Sequence, residues 1–175
     1  VDVHGKLLLV DGPRFVAPLV QFIEARGGLA GILLTHGDDV GDADRYAEHF
    51  GATVAIHADD ARAAPFAGVT WRGLDEVHAL DGVDVTVLPV PGHTRGSVMF
   101  LAGDRLFTGD SLAWDRERER MMAFHDACWF SWSEQKKSLA RIAHGFSWIL
   151  PGHGQRHRAS VDDNRAALHD LVARM

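Results

Sequence analysis

Residues 88–97 read Leu-Pro-Val-Pro-Gly-His-Thr-Arg-Gly-Ser, a stretch in which a strand runs through a Pro-Gly turn onto a histidine. The strand extends back to Val83, because Val83–Val90 alternates in polarity and is rich in β-branched residues. A turn that follows a strand exposes its side chains at the edge of a sheet, where functional residues concentrate. The stretch therefore predicts that His93 stands at a sheet edge.

Three other predicted strands end in the same way. The segments LLTH, LFTGD and ILPGH place His36, Asp110 and His153 directly after short apolar runs. Imidazole and carboxylate groups bind zinc, iron and manganese, and ligands held by a sheet converge readily. One such residue would be an ordinary polar loop position. Four of them, each at a strand end, predict a metal site.

The order of predicted elements favours two sheets covered by helices. The first half alternates strands and helices, with one helix after Pro13 and another beginning at Asp42. The second half has a hairpin joined at Gly103-Asp104, an irregular segment over Leu112–Trp129, and helices that start near Ser131 and Ser160. The predicted strands of the first half are Lys6–Asp11, Gly31–Leu34 and Thr53–His57. We predict a single domain over residues 1–175, with the helices on the outer faces.

Composition excludes several classes of partner. The chain has 175 residues and a formal net charge of −6, so no basic surface indicates nucleic acid or an anionic membrane. Its apolar runs are far shorter than the ~20 residues of a membrane span. Cys128 is the only cysteine, so we expect no internal disulfide and a reducing cytoplasm. The chain begins at Val1 within an apparent strand, and we expect that a strand segment precedes it.

Five short motifs resemble those of the metallo-β-lactamase superfamily, which includes glyoxalase II-like thioesterases. This resemblance implies a four-layer αββα sandwich, with metals at one edge of the two sheets. It also implies that activity, where present, is metal-dependent hydrolysis. The motifs are VDGP at 10–13, THGDD at 35–39, GHTRGS at 92–97, TGDSL at 108–112 and PGHG at 151–154.

The first histidine motif departs from that pattern. The chain has THGDDVGD where the superfamily has T-H-x-H-x-D-H, so Asp38 stands in place of the second histidine. Val40 and Gly41 then replace the motif's aspartate and last histidine. A register with a two-residue insertion instead aligns Asp42 with the aspartate. In either register this loop lacks a histidine for the second metal.

The resemblance implies a ligand set with one or two divalent metal ions. His36, Asp38 and His93 would hold one ion, with Asp110 beside it or bridging. His153 and Asp110 would hold a second, helped by Asp42 or Asp39. Zinc is the metal that the superfamily implies, but a carboxylate in place of an imidazole moves the preference towards iron or manganese.

The functional prediction is a metal-dependent hydrolase of a small ester, thioester or phosphoester. Asp38 and Asp110 are its predicted catalytic residues, because a carboxylate beside a metal can orient water or accept its proton. The chain has no G-x-S-x-G elbow and no glycine-rich cofactor loop. One alternative is a degenerate, non-catalytic domain, with a ferredoxin-type protein as its redox partner. Another is an iron-containing, oxygen-linked enzyme.

Three residues near these motifs have two interpretations each. Arg95 either binds an anionic group of the substrate or forms a structural ion pair. His57 either supports the metal site or caps the turn that follows its strand. Trp129 lies in the irregular segment, where it either lines a substrate pocket or anchors the loop to the core.

Overall fold

The computed structural model describes all residues, 1–175, and contains two main β-sheets, a separate hairpin and four α-helices. The first sheet is built from five strands: β1 (Asp2–Val3), β2 (Lys6–Val10), β3 (Gly31–Leu33), β4 (Thr53–His57) and β5 (Val69–Trp71). The later strands are β6 (Val77–His78), β7 (Thr86–Pro89), β8 (Val98–Ala102), β9 (Arg105–Gly109), β10 (Ala113–Asp115), β11 (Arg120–Met122), β12 (Trp148–Pro151) and β13 (His157–Arg158). The helices are α1 (Ala17–Glu24), α2 (Ala43–Phe50), α3 (Trp132–Ala140) and α4 (Val161–Arg174). None of these helices is both long enough and apolar enough to cross a membrane.

The strand directions bring four loops to one edge of the molecule. In the first sheet, β2 to β5 are parallel, with α1 and α2 as crossover helices between β2, β3 and β4. The second sheet has the order β13-β12-β9-β8-β7-β6. Within it, β7 and β9 both run antiparallel to β8, and β12 runs parallel to β9. The carboxyl ends of β7, β9 and β12 therefore meet at the same edge.

Alternating apolar residues make each sheet a layer between two cores. Leu33 and Phe100 face the space between the sheets, in a cluster of 12 buried residues. Ile32, the neighbour of Leu33, faces outwards and packs with Tyr46 of α2 in a second cluster. The other sheet packs its outer face against α3 and α4, for example through Leu168. This period of two, with helices on both outer faces, is the predicted αββα arrangement.

Several local predictions are confirmed, and others need correction. Ser131 caps α3 by accepting a hydrogen bond from the Glu134 N–H, and Ser160 caps α4 in the same way. The first helix begins at Ala17 rather than after Pro13, and the strand predicted over Val83–Val90 is limited to β7. The segment predicted to be irregular contains the hairpin of β10 and β11. Met121 of this hairpin is fully buried in the apolar cluster that the second sheet shares with α3 and α4, which a local pattern could not reveal.

Candidate metal centre

Three buried or half-buried side chains from different strand ends meet in one cluster. Oδ2 of Asp110 lies 3.8 Å from Nε2 of His36 and 3.8 Å from Nε2 of His93. Nδ1 of His153 lies 2.9 Å from Oδ1 of the same aspartate. Nε2 of His93 also lies 3.4 Å from Oδ2 of Asp38. The structure thus brings together five of the six residues that the sequence predicted as ligands.

The sixth predicted ligand, Asp42, is not brought to the cluster. Its Oδ2 accepts a hydrogen bond from the Phe15 N–H at 2.7 Å and lies 3.8 Å from Nη1 of Arg45. Asp42 immediately precedes α2, so its carboxylate is committed to the chain that leads into α1. The adjacent residue Asp39 takes the expected place, with Oδ2 3.9 Å from Nε2 of His36. Asp39, offered by the sequence only as an alternative, therefore replaces Asp42 in the candidate ligand set.

The donor atoms of the cluster fit a metal ion. Two groups of three residues have potential ligand atoms within 4.8 Å of one another, His36, Asp38 and His93, and His36, Asp39 and Asp110. Nε2 of His36 and both ring nitrogens of His93 are buried without a hydrogen-bond partner. Buried polar atoms are normally satisfied, so unpartnered imidazole nitrogens aimed at carboxylates fit the role of metal ligands.

A hydrogen-bond chain behind His36 prepares that residue to bind a metal. The carboxylate of Asp11 accepts hydrogen bonds from the Thr35 N–H at 2.7 Å and from the Thr35 hydroxyl at 2.9 Å. The Thr35 oxygen lies 2.8 Å from Nδ1 of His36. When Asp11 is ionised, the Thr35 hydroxyl hydrogen points to Asp11, and Nδ1 of His36 then donates its proton to the Thr35 oxygen. Nε2 is then left with its lone pair directed into the cluster.

Burial shapes the electrostatics of these groups. Burial raises the pKa of Asp11 to about 7, although both hydrogen bonds from Thr35 oppose that rise. Burial and the neighbouring His93 lower the pKa of His36. The hydrogen bond with Asp110 raises the pKa of the more exposed His153. His36 is therefore held in the neutral form that a metal ligand requires.

Asp60 was missed by sequence reasoning, although its carboxylate binds both histidine loops. It accepts hydrogen bonds from the Gly37 N–H and the Gly96 N–H, and from the hydroxyl of Thr94. Nothing in the local sequence signals this role, because all three donors lie 23 to 36 residues away. Only the packing of the short 3-10 helix Ala58–Ala63 against the two loops brings Asp60 there.

The two interpretations of His57 and Arg95 are decided by their contacts. Nδ1 of His57 accepts the Asp59 N–H at 3.2 Å, and Nε2 lies 3.1 Å from the Gly73 carbonyl oxygen. His57 is therefore a turn cap, with both nitrogens occupied. Nε of Arg95 lies 3.4 Å from Asp59, and its guanidinium lies 5.9 Å from the centre of the Phe130 ring. Arg95 forms an exposed ion pair in this structure.

Two exposed aromatic residues are held beside His93. The N–H groups of Trp129 and Phe130 both donate to the His93 carbonyl oxygen, at 2.8 and 3.1 Å. The ring centre of Trp129 lies 6.4 Å from that of His93, yet 67% of this tryptophan is exposed. Phe130 is 45% exposed and lines a cavity of about 270 Å³ together with Arg95. The backbone of this segment is anchored while its aromatic surface stays open to a ligand.

Comparisons with known proteins agree with this fold. No protein-family profile matches the chain. A hydroxyacylglutathione hydrolase of Xanthomonas campestris is 36% identical over 111 residues, which are 62% of this chain and 42% of that protein. One from Anaeromyxobacter dehalogenans is 45% identical over 86 residues, which are 47% of this chain and 32% of that protein. The chain thus spans less than half the length of these relatives.

Solved structures share the architecture over nearly the whole chain. The ETHE1 structure from Myxococcus xanthus has a TM-score of 0.69 and 22% identity, covering 97% of this chain and 76% of that one. TTHA1623, crystallised in a di-iron-bound form, has a TM-score of 0.70 and 25% identity, with 95% and 90% covered. The B3 metallo-β-lactamase BLEG-1 has a TM-score of 0.69 and 17% identity, with 95% and 89% covered. These matches show that the chain has the fold of the metallo-β-lactamase superfamily, and the two curated relatives resemble it in sequence over up to 62% of its length.

Proposed function

We propose that this chain is a metal-dependent hydrolase of a small ester, thioester or phosphoester, with a carboxylate-rich metal site. The observation that carries the proposal is the pair of unpartnered Nε2 atoms of His36 and His93, which face carboxylates at 3.4 to 3.9 Å. The hydroxyacylglutathione hydrolases among its relatives support hydrolysis. Thioesters are the first candidate substrates, because these relatives are named as hydroxyacylglutathione hydrolases.

The residues would form two sets, and Asp110 lies near the histidines of both. His36, Asp38 and His93 would hold one ion, and Asp39 with His153 would hold a second, with Asp110 between the sets. A bound divalent ion supplies Lewis acidity, which polarises a carbonyl or phosphoryl oxygen and lowers the pKa of water towards neutral pH.

Asp38 is the candidate ligand best placed to accept a proton from water. Its side chain is 53% exposed, whereas that of Asp110 is 13% exposed. An exposed carboxylate at the rim of the site can orient a water molecule and accept its proton. Asp110, enclosed by three histidines, acts instead by holding their positions and by balancing the positive charge of the site.

Three carboxylates and three histidines favour harder metals than an all-histidine site does. Oxygen ligands suit manganese and iron as well as zinc, so iron or manganese competes with zinc here. The di-iron form of TTHA1623 supports iron as a candidate. Zinc remains in the proposal because it is the metal that the superfamily resemblance implies.

The substrate would rest its apolar part on the aromatic residues beside His93. Trp129 and Phe130 offer an open apolar surface whose backbone is fixed to the His93 carbonyl. Apolar and aromatic surface with a few polar groups is typical of small-molecule sites. An acyl or thiol portion with an aromatic or branched group would fit this surface.

The test begins with metal analysis of protein purified without chelators, followed by hydrolysis assays. Zinc, iron and manganese would be quantified, and the loaded protein would be offered a hydroxyacylglutathione thioester, an aryl ester and an aryl phosphoester. We expect bound metal and turnover of at least one substrate, abolished by EDTA. Metal binding without turnover would favour the non-catalytic alternative. Absence of bound metal, with stability unchanged by EDTA, would refute the proposal.

A further inference from the structure

We propose that Asp60 is a positioning residue that sets the distance between the two histidine loops and thereby the geometry of the metal site. The proposal concerns the metal-binding part of the proposed function and does not depend on the substrate. Asp60 belongs to neither group of candidate ligands. It acts on the site through the backbone and through one hydroxyl group.

The carboxylate of Asp60 bridges the two loops with both of its oxygens. Oδ2 accepts the Gly37 N–H at 2.9 Å and the Thr94 hydroxyl at 2.5 Å. Oδ1 accepts the Gly96 N–H at 3.0 Å. Gly37 lies between two candidate ligands, His36 and Asp38, and Thr94 directly follows His93. Movement of Asp60 would therefore shift both loops together.

Hydrogen bonds to an ionised acceptor make this bridge strong. A carboxylate accepts shorter and stronger bonds than a neutral oxygen does, and here three donors converge on one group. The Thr94 hydroxyl, which donates to Asp60, also lies 2.8 Å from Oγ of Ser97. Oγ of Ser97 in turn accepts the Thr94 N–H at 2.9 Å. The loop after His93 is therefore closed on itself as well as tied to Asp60.

The close approach of Asp60 explains a glycine in the second loop. A Cβ atom at Gly96 would lie 2.6 Å from Cγ of Asp60 and 2.8 Å from its backbone nitrogen. Contacts below 3.0 Å between such atoms are not tolerated, so a larger residue at position 96 would push the carboxylate out of its place. Gly96, the second glycine of GHTRGS, therefore leaves the space that the Asp60 carboxylate occupies.

A second contact joins the loops on the side of the sheets. The Val98 N–H, at the start of β8, donates to the Thr35 carbonyl oxygen at 2.8 Å. Together with Asp60, this bond holds the loops at two points. The His36 and His93 rings are then fixed edge to face, with centres 4.7 Å apart and planes at 83°. Their Nε2 atoms are positioned before a metal arrives, which reduces the ordering needed on binding.

The test compares Asp60→Asn with Asp59→Asn. The first keeps the shape of the side chain, but its NH2 group must face at least one of the three donors. The second changes an exposed neighbour that has Arg95 as its ion-pair partner. Three quantities would be measured for the whole chain: Zn²⁺ affinity by chelator competition, the visible absorption spectrum with Co²⁺, and thermal unfolding without metal.

We expect Asp60→Asn to weaken Zn²⁺ binding about 10-fold or more, the range found for residues that orient metal ligands. It should also shift the Co²⁺ bands, which report ligand geometry, while Asp59→Asn behaves as the wild type. Unchanged affinity and an unchanged Co²⁺ spectrum in Asp60→Asn, even with reduced stability, would overturn the proposal.

If Asp60→Asn does not fold, Thr94→Val tests the positioning role of Asp60. It removes the hydroxyl bond to Asp60 but keeps a β-branched side chain. Thr94→Val should fold and should shift the Co²⁺ absorption bands. An unchanged spectrum in this variant would refute the proposal. Wild-type protein that binds metal but hydrolyses no substrate would refute the hydrolase and leave the role of Asp60 intact. Wild-type protein that binds neither Zn²⁺ nor Co²⁺ would refute both.

Discussion

Both carboxylate oxygens of Asp110 lie within 3.0 Å of Nδ1 of His153, which joins the ends of the parallel strands β9 and β12. The backbone repeats this link, because the Gly152 N–H donates to the Gly109 carbonyl oxygen at 2.9 Å. The two loops therefore approach so closely that position 152 has room only for hydrogen. A Cβ atom there would lie 2.9 Å from Oδ2 of Asp39 and 3.0 Å from Oδ1 of Asp110.

Gly152→Ala should therefore damage the metal site more than the fold. The added methyl group would displace the ends of two candidate ligands, which can move without disturbing the core. We expect metal affinity to fall about 10-fold or more, as for other changes that misplace ligands, with metal-free unfolding close to that of the wild type. Chelator competition and thermal unfolding measure the two effects. Gly68→Ala, whose Cβ would lie 3.6 Å from Thr53, is the control. Equal metal affinity in both variants would contradict this view of Gly152.

Asp39→Asn should weaken metal binding, whereas Asp42→Asn should not. Asp39 faces His36 and His153, so its amide should lower metal affinity by about 10-fold or more. The carboxylate of Asp42 accepts the Phe15 N–H, and the amide oxygen of asparagine can keep this bond, so Asp42→Asn should change the unfolding free energy by less than about 1 kcal/mol and leave metal binding unchanged. Metal titration and chemical denaturation of both variants separate these outcomes. Loss of metal in Asp42→Asn alone would support the register with a two-residue insertion.

Asp11 should make the metal-free protein less stable as the pH rises. In the folded state its pKa is about 7, above the ordinary value of 3.8, so between these values the folded state holds a proton that the unfolded state has lost. The free energy of unfolding then falls with increasing pH in this window. The decrease from this group is at most about 4 kcal/mol, since one pKa unit corresponds to about 1.4 kcal/mol.

Asp11→Asn removes this titration and keeps an oxygen for the Thr35 donors. Denaturant unfolding in EDTA at pH 4.5 and pH 8 should show a smaller loss of stability in the variant than in the wild type. An identical pH dependence in the two proteins would show that Asp11 does not titrate in this window.

Trp129→Ala should weaken the use of aromatic substrates. If the indole supports the apolar part of the substrate, KM for an aromatic thioester should rise about threefold to tenfold, and KM for an acetyl thioester should change less. Phe22→Ala removes a comparably exposed aromatic ring from α1 and is the control. Steady-state kinetics with both substrates measure the difference. A uniform change with both thioesters would place Trp129 outside the substrate site.

The positions of the candidate ligands were predictable because they follow from local rules. A short apolar run followed by a Pro-Gly or Thr-Gly turn determines where a strand ends, and the next polar residue stands at the sheet edge. His93, Asp110 and His153 were found in this way, and His36 comes directly after the run Gly31–Leu34 and Thr35. The helix caps at Ser131 and Ser160 are equally local, since the serine and the N–H that it accepts are three residues apart.

The hairpin of β10 and β11 shows the limit of such rules. Its strands have three residues each, and the intervening charged run has no period that indicates a sheet. Burial of Met121 in the apolar cluster between the second sheet and the helices α3 and α4 stabilises this hairpin. Short strands depend on such packing, which a sequence pattern does not record.

The sequence by itself predicted the αββα fold, the layered order of strands and helices, and the four loops that carry candidate ligands. Only the tertiary structure decided which aspartate of the first loop faces the cluster, and that Asp60 ties this loop to the one after His93. The physical reason is the range of the interactions. Strand ends and caps depend on neighbours a few residues away, whereas the Asp60 bridge spans up to 36 residues. A carboxylate turns towards a nearby hydrogen-bond donor or cation. Tertiary packing decides which distant donor or cation comes within reach.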